Sequence, residues 1–76
     1  MESALAVANY FIKKGIDTKK SVSPMKLQKL VYFAHGWRLA LYNSPLIDEA
    51  IQAWQYGPVI PGIYHEFKHY GNRDIL

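Results

Sequence analysis

Apolar residues recur at Ala4, Leu5, Ala8, Phe11 and Ile12. That spacing draws one stripe down a helix and predicts a first helix over about residues 3–14. Gly15 is expected to end it in a left-handed conformation, with Ile16 folding back onto Phe11. Lys13 and Lys14 then fall in the last turn, where positive charge suits the negative end of the helix dipole. Residues 17–23, DTKKSVS, are polar and read as a connection.

Ser23 followed by Pro24 is a helix start: a capping hydroxyl, then a residue whose missing N–H costs nothing in the first turn. The pattern continues to Tyr42, a length of about 28 Å at 1.5 Å per residue, and Asn43-Ser44-Pro45 ends it. Leu27, Leu30, Phe33, Ala34, Trp37, Ala40 and Leu41 share one face of this second helix. Val31, Tyr32, Leu39 and Tyr42 make a second apolar group on roughly the opposite side. A helix apolar nearly all round is expected to be buried by several neighbours, with Trp37 in the core. Gly36 lowers helix propensity, which is expected to be offset by another backbone approaching closely there.

The helical period is lost over residues 45–56, PLIDEAIQAWQY, which read as a short hairpin or two extended segments. Gly57-Pro58-Val59-Ile60-Pro61 is excluded from any helix interior. Pro61 is placed to open a third helix, with Ile63, Phe67 and Tyr70 on its apolar stripe and Gly71 at its end. The expected fold is therefore mainly α with minor β. A central buried helix is packed by two flanking helices, with an extended, hairpin-like segment around 45–56.

With 76 residues, the chain is at most one domain, taken as residues 1–76. Half of it is hydrophobic and 14% aromatic, enough for a core, yet a domain this small buries only about 60% of its unfolded surface. It gains from a partner or from more chain, and the ending Asp74-Ile75-Leu76 carries no stop signal. The chain is accordingly expected to be the N-terminal part of something longer. There is no cysteine, which excludes disulfide and thiolate chemistry and agrees with a cytoplasmic, reducing setting. The N-terminus lacks the basic start of a signal peptide, and no run of about 18 apolar residues spans a membrane.

The net charge of +3 is uneven. Lys13, Lys14, Lys19, Lys20, Lys26 and Lys29 face only Glu2 and Asp17 in the first 29 residues. This basic segment is the candidate contact for nucleic acid. No arginine is interleaved with these lysines, and an ordinary solvated surface accounts for them as well.

Candidate chemistry is sparse. His65-Glu66-Phe67-Lys68-His69 matches the HExxH zinc-protease pattern, in which two histidines one turn apart hold the metal and the glutamate activates water. A catalytic zinc needs a third protein ligand. After His69 the sole candidate is Asp74, and upstream the only other histidine is His35. The pattern is therefore read as two partly exposed histidines on an amphipathic helix, and no metal or cofactor is assigned. His35 lies beside Val31 and Leu39 and is read as a core histidine bonded to a nearby carbonyl or side chain. Ser3, Ser21, Ser23 and Ser44 sit in caps and loops with no triad. Asp48 and Glu49 would point to opposite sides of an extended chain. Pro58 and Pro61 deprive Gly57 and Gly62 of a phosphate cradle. No catalytic residue is assigned, and the protein is not expected to be an enzyme.

What remains is aromatic and stiff. Trp54, Tyr56, Gly57, Pro58, Val59, Pro61 and Tyr64 form a restricted corner, and tryptophan and tyrosine serve as binding anchors because they bring large area at low entropic cost. Trp54 is expected to be half in the core.

The strings SPMKLQKL (23–30), YFAHGW (32–37), Pro45-Leu46, Ala53-Trp54, YGPVIP (56–61) and YHEF (64–67) together resemble the Panacea domain, the phage-associated, SocA-like antitoxin family. The resemblance covers about residues 23–71. It implies a mostly helical antitoxin, often carried on prophages or other mobile elements and encoded beside a toxin that it neutralises by direct contact. In at least one branch it implies an adaptor that delivers the toxin to a ClpXP-type protease. The family brings no established catalytic residues, and its full members continue well past the position of Tyr70.

Overall fold

The computed structural model describes residues 3–55 and 57–76. The elements are α1 (Ala4–Asp17), α2 (Pro24–Tyr42), β1 (Gln52–Trp54), β2 (Gly57–Val59) and α3 (Pro61–Phe67), which a 3-10 turn at Lys68–Tyr70 prolongs. The mainly helical fold with a small β element agrees with the sequence pattern.

The start of α1 is capped twice. The Ser3 hydroxyl accepts from the Ala6 N–H at 3.0 Å, and both Glu49 carboxylate oxygens accept from the Ala4 N–H at 2.9 and 3.2 Å. A carboxylate here satisfies an orphan donor and complements the positive end of the helix. The end of α1 differs from expectation. The helix runs through Gly15 to Asp17, and the left-handed residue is Lys19, at φ 59°. Gly15 is buried because the chain returns over it: the Lys20 N–H donates to its carbonyl at 2.7 Å, and a Cβ there would lie 2.9 Å from the Lys20 carbonyl oxygen. The glycine serves close approach, not a turn. Ile16 is exposed instead of folding back.

Helix α2 has the expected ends. The Ser23 hydroxyl accepts from the Lys26 N–H at 3.4 Å, Pro24 opens the helix, and Asn43 closes it in the left-handed region at φ 51°. Its burial does not follow the sequence reading. Leu27, Gln28 and Val31 are buried, but Phe33 and Trp37 are 68% and 69% exposed, and Leu39, Leu41 and Tyr42 are exposed with them. Trp37 is thus a surface residue, and the central helix is sheathed only along its first turns and on one side. The cause is a shortage of material. Helices α1 and α3 and strand β2 pack against α2, and the molecule extends 33 × 29 × 17 Å. These partners lie against the face that carries Leu27, Gln28 and Val31 and leave the rest of α2 uncovered.

The core is formed by Ala4, Val7, Ala8, Val22, Leu27, Val31, Ile47, Ile60, Ile63 and Ile75, with Phe11, Ile12, Leu46, Ile51, Phe67 and Tyr70 packed at its margin. It joins α1, the first half of α2 and α3. The C-terminal residues close it: the Ile75 N–H donates to the Val22 carbonyl at 2.8 Å.

The hairpin falls later in the chain than expected. Strands β1 and β2 are antiparallel, pairing Gln52 with Val59, Ala53 with Pro58 and Trp54 with Gly57, so its second strand is built from residues read as a bare loop. A two-stranded ribbon has two free edges, and proline is tolerated where its missing donor would face outward. Gly57 has φ 121°, a conformation open to glycine and costly for other residues. Gly71, at φ 61°, ends the 3-10 turn, in keeping with the sequence.

Candidate functional site

The corner that joins β2 to α3 is fixed from behind by Gln28. Its side-chain Nε2 donates to the Ile60 carbonyl at 3.1 Å, and its Oε1 accepts from the Ile60 N–H at 2.9 Å. One side-chain amide thus pairs with both polar groups of a residue 32 positions away. The pairing is buried, and Ile60 itself is fully buried. The Ile60 carbonyl also accepts from the Ile63 and Tyr64 N–H groups, at 3.0 and 3.1 Å, which starts α3 without a capping side chain. Nothing in the local pattern singles out Gln28. The one available signal is its position between Leu27 and Val31 on the face that turns out to be buried.

Forward of that anchor stands an aromatic pair. Trp54 on β1 and Tyr64 on α3 meet edge to face, with centroids 4.9 Å apart at 63°, an arrangement favoured by the ring quadrupoles. The Trp54 Nε1 donates to Gln52 Oε1 at 2.9 Å. Both rings remain partly open to solvent, Pro58 is exposed, and Gly57, Val59 and Pro61 are half-buried. Of the seven residues expected at the docking corner, six therefore lie on one hairpin–helix unit, and Tyr56 falls outside the described residues.

His35 ties down the chain after α2. Its Nδ1 accepts from the Leu46 and Ile47 N–H groups at 3.2 and 3.3 Å. The ring is expected to bond a carbonyl or side chain; it instead accepts from two backbone amides. His65 and His69 are exposed, and His69 lies in the 3-10 turn beyond the end of α3. Among the described residues, no three histidine or carboxylate side chains converge on a metal position. The six lysines from Lys13 to Lys29 are all exposed, spread over the end of α1, the connection and the first turns of α2.

The profile of one protein family, described as "Antitoxin SocA-like, Panacea domain", matches residues 27–76. The chain belongs to this family. The matched span takes in most of α2, the hairpin, the Ile60 corner and α3, so the Gln28–Ile60 anchor and the aromatic pair both lie inside the Panacea region. A curated relative, the antitoxin SocA of Caulobacter vibrioides (strain NA1000 / CB15N), is 40% identical over 73 residues. That alignment covers 96% of this Panacea chain and 39% of the relative, so the chain spans about two-fifths of the length of the protein it matches. No solved structure matches it. Among the described residues, no helix of this Panacea chain is long and apolar enough to cross a membrane.

Proposed function

We propose that the chain is a non-catalytic antitoxin module that binds and neutralises a toxin encoded beside it, acting in the cytoplasm. The docking edge is the hairpin corner of Trp54, Tyr56, Gly57, Pro58, Val59, Pro61 and Tyr64. One observation supports this reading above the others: the Trp54–Tyr64 pair stands open to solvent on a corner that the buried Gln28–Ile60 pairing holds from behind. A pre-ordered aromatic anchor loses little entropy on binding and is the kind of group that dominates interface energetics. Family membership supplies the expectation of a toxin as the partner. Delivery of that toxin to a ClpXP-type protease is a further step of the same proposal, in which the docked chain carries its cargo to the protease.

Co-expression with the neighbouring reading frame, followed by pull-down, tests the reading. Wild-type chain is expected to co-purify with the toxin in fixed stoichiometry. Trp54→Ala and Tyr64→Ala are expected to weaken the complex by roughly 30-fold each, the scale of an interface hot spot, while leaving the circular dichroism unchanged. Full toxin neutralisation by both variants removes the hairpin as the site. A toxin lost together with the chain in cells, and stabilised when the protease is deleted, supports the delivery step.

A further inference from the structure

The two edges of the β1–β2 ribbon are finished differently. Pro58 has no N–H, so it and its partner Ala53 cannot be a pair that exchanges both backbone hydrogen bonds. By the alternation of an antiparallel ladder, the pairs that do so are Gln52–Val59 and Trp54–Gly57. The outward backbone groups on the β2 side are then those of Pro58 and, two residues on, Ile60. The first has no donor to offer, and the second has both of its polar groups engaged by Gln28. That edge is closed.

The edge of β1 is open. The same alternation turns the N–H and C=O of Ala53 away from β2, and among the described residues neither group has another partner. Gln52, Ala53 and Trp54 are all exposed. Sheet edges are commonly blunted by charge or proline, yet residues 50–57 contain neither. A donor and an acceptor projecting together from one strand residue match an extended backbone, which presents the same two groups in return. A strand seated there sets its flanking side chains beside those of Gln52 and Trp54, on the same side of the sheet.

We propose that β1 takes on a third strand, an extended segment of the toxin that pairs with the backbone of Ala53 and lays an apolar side chain against the Trp54 ring. This rests on the reading of the hairpin corner as the docking site and says how the docked protein is held. Backbone pairing fixes the segment at the edge, and the Trp54–Tyr64 rings anchor it alongside. A second copy of this chain is the poorer occupant. Antiparallel pairing of two copies about Ala53 sets each Trp54 opposite the other's Gln52. That amide already accepts from its own Trp54 at 2.9 Å, so neither ring gains an apolar partner. A strand of three residues is also only about 10 Å long, and its edge alone buries far less than the roughly 1,200 Å² of a stable interface.

The test uses the complex with the protein encoded in the neighbouring reading frame and reads the backbone of β1 directly. The Ala53 amide, unpaired in the free chain, is expected to exchange at least roughly tenfold more slowly in the complex. Ala53→Pro removes the outward N–H and none of the ribbon's own hydrogen bonds, as Pro58 does across the ladder. It is expected to weaken the complex by roughly tenfold or more with unchanged circular dichroism. Should that variant fail to fold, a synthetic chain with an ester in place of the Ala53 amide removes the same donor, keeps the side chain, and decides the matter by the same loss. An Ala53 amide that exchanges as fast in the complex as in the free chain, or donor-less variants that bind like wild type, overturns the proposal. If Trp54→Ala and Tyr64→Ala still weaken the complex in that case, the corner remains the site and holds the toxin through side chains alone. If those two leave it unchanged, the corner is not the site and both readings fall. A free chain that is dimeric at tens of micromolar and dissociates on Ala53→Pro overturns the proposal in favour of a second copy.

Discussion

Replacing Gln28 by methionine keeps the size and shape of the side chain and removes both of its hydrogen bonds to Ile60. The two losses are unequal. The Ile60 carbonyl retains the Ile63 and Tyr64 N–H groups at 3.0 and 3.1 Å, so it stays satisfied. The Ile60 N–H has Gln28 Oε1 at 2.9 Å as its partner, and the residue is fully buried. The variant therefore orphans one buried donor. That costs about 1–3 kcal/mol, against the net 0.5–1.5 kcal/mol of a hydrogen bond whose partners regain water. Added methionine burial recovers a fraction of this, leaving a loss of about 2 kcal/mol. A domain of this length is stable by roughly 4–11 kcal/mol, so the change takes a large share. At about 4–8 °C per kcal/mol for a domain of this size, the melting temperature falls by about 8–16 °C.

Gln28→Glu separates hydrogen bonding from packing. As a carboxylate it still accepts from the Ile60 N–H, but it sets a charge in a buried site against the Ile60 carbonyl oxygen. Burial and that oxygen both favour the protonated acid, so its folded-state pKa is raised above the unfolded value. A raised carboxyl pKa means the folded state binds its proton more tightly than the unfolded state does. The variant is therefore closest to wild type at low pH, where the acid can donate to the carbonyl and accept from the amide, and it loses stability as pH rises through the folded pKa. Urea unfolding at pH 4 and pH 7.5 measures this as a gap to wild type that widens with pH. A Gln28→Met protein within 0.5 kcal/mol of wild type, or a Gln28→Glu gap that is the same at both pH values, refutes the argument that this pairing anchors the corner.

Three further outcomes follow from the same contacts. Glu49→Ala uncaps the Ala4 N–H and removes a carboxylate from the positive end of α1, costing about 1 kcal/mol; faster amide exchange in the first turn of α1 reads it. Gly15→Ala and Gly36→Ala, alike as helix substitutions, move in opposite directions. The first drives a Cβ to 2.9 Å from the Lys20 backbone oxygen and destabilises by about 1–3 kcal/mol, while the second enters open space and stabilises by about 0.5–1 kcal/mol; urea midpoints check both. Nucleic acid is expected to remain unshifted by the chain even at low ionic strength, because the lysine segment lacks the aromatic and arginine contacts of a binding platform; a gel shift that weakens with salt would show otherwise.

How far the sequence spoke depended on how local each signal was. Ser23-Pro24 and Asn43-Ser44-Pro45 bound α2 because caps and prolines act within one turn, and the structure starts and ends the helix where the pattern places it, with Asn43 in the left-handed region as a detail the pattern does not state. Gly15 was misread because two physical reasons for a glycine look identical in a string: a positive φ, or a backbone passing overhead. Only the return of Lys20 across α1 tells them apart. Pro58 disguised β2 for a similar reason, since its missing donor forbids a central strand but not one in a two-stranded ribbon. Gln28 was silent because its partner lies 32 residues away.

The apolar girth of α2 is a different kind of case. The pattern predicts a helix with neighbours on several sides, and the structure contradicts it: Phe33, Trp37, Leu39, Leu41 and Tyr42 are exposed. Binary pattern reports the environment a helix is suited to, whereas the solvent exposure of Phe33 and Trp37 reports the environment that 76 residues can build. The two disagree on both apolar groups of the helix, at Leu30, Phe33, Trp37 and Leu41 and again at Tyr32, Leu39 and Tyr42, while the capped ends of the same helix are orderly. A misfolded or poorly specified helix would scatter the disagreement through its caps and core as well. The disagreement is therefore one of burial alone: it leaves the caps of α2 and its buried turn at Leu27, Gln28 and Val31 intact.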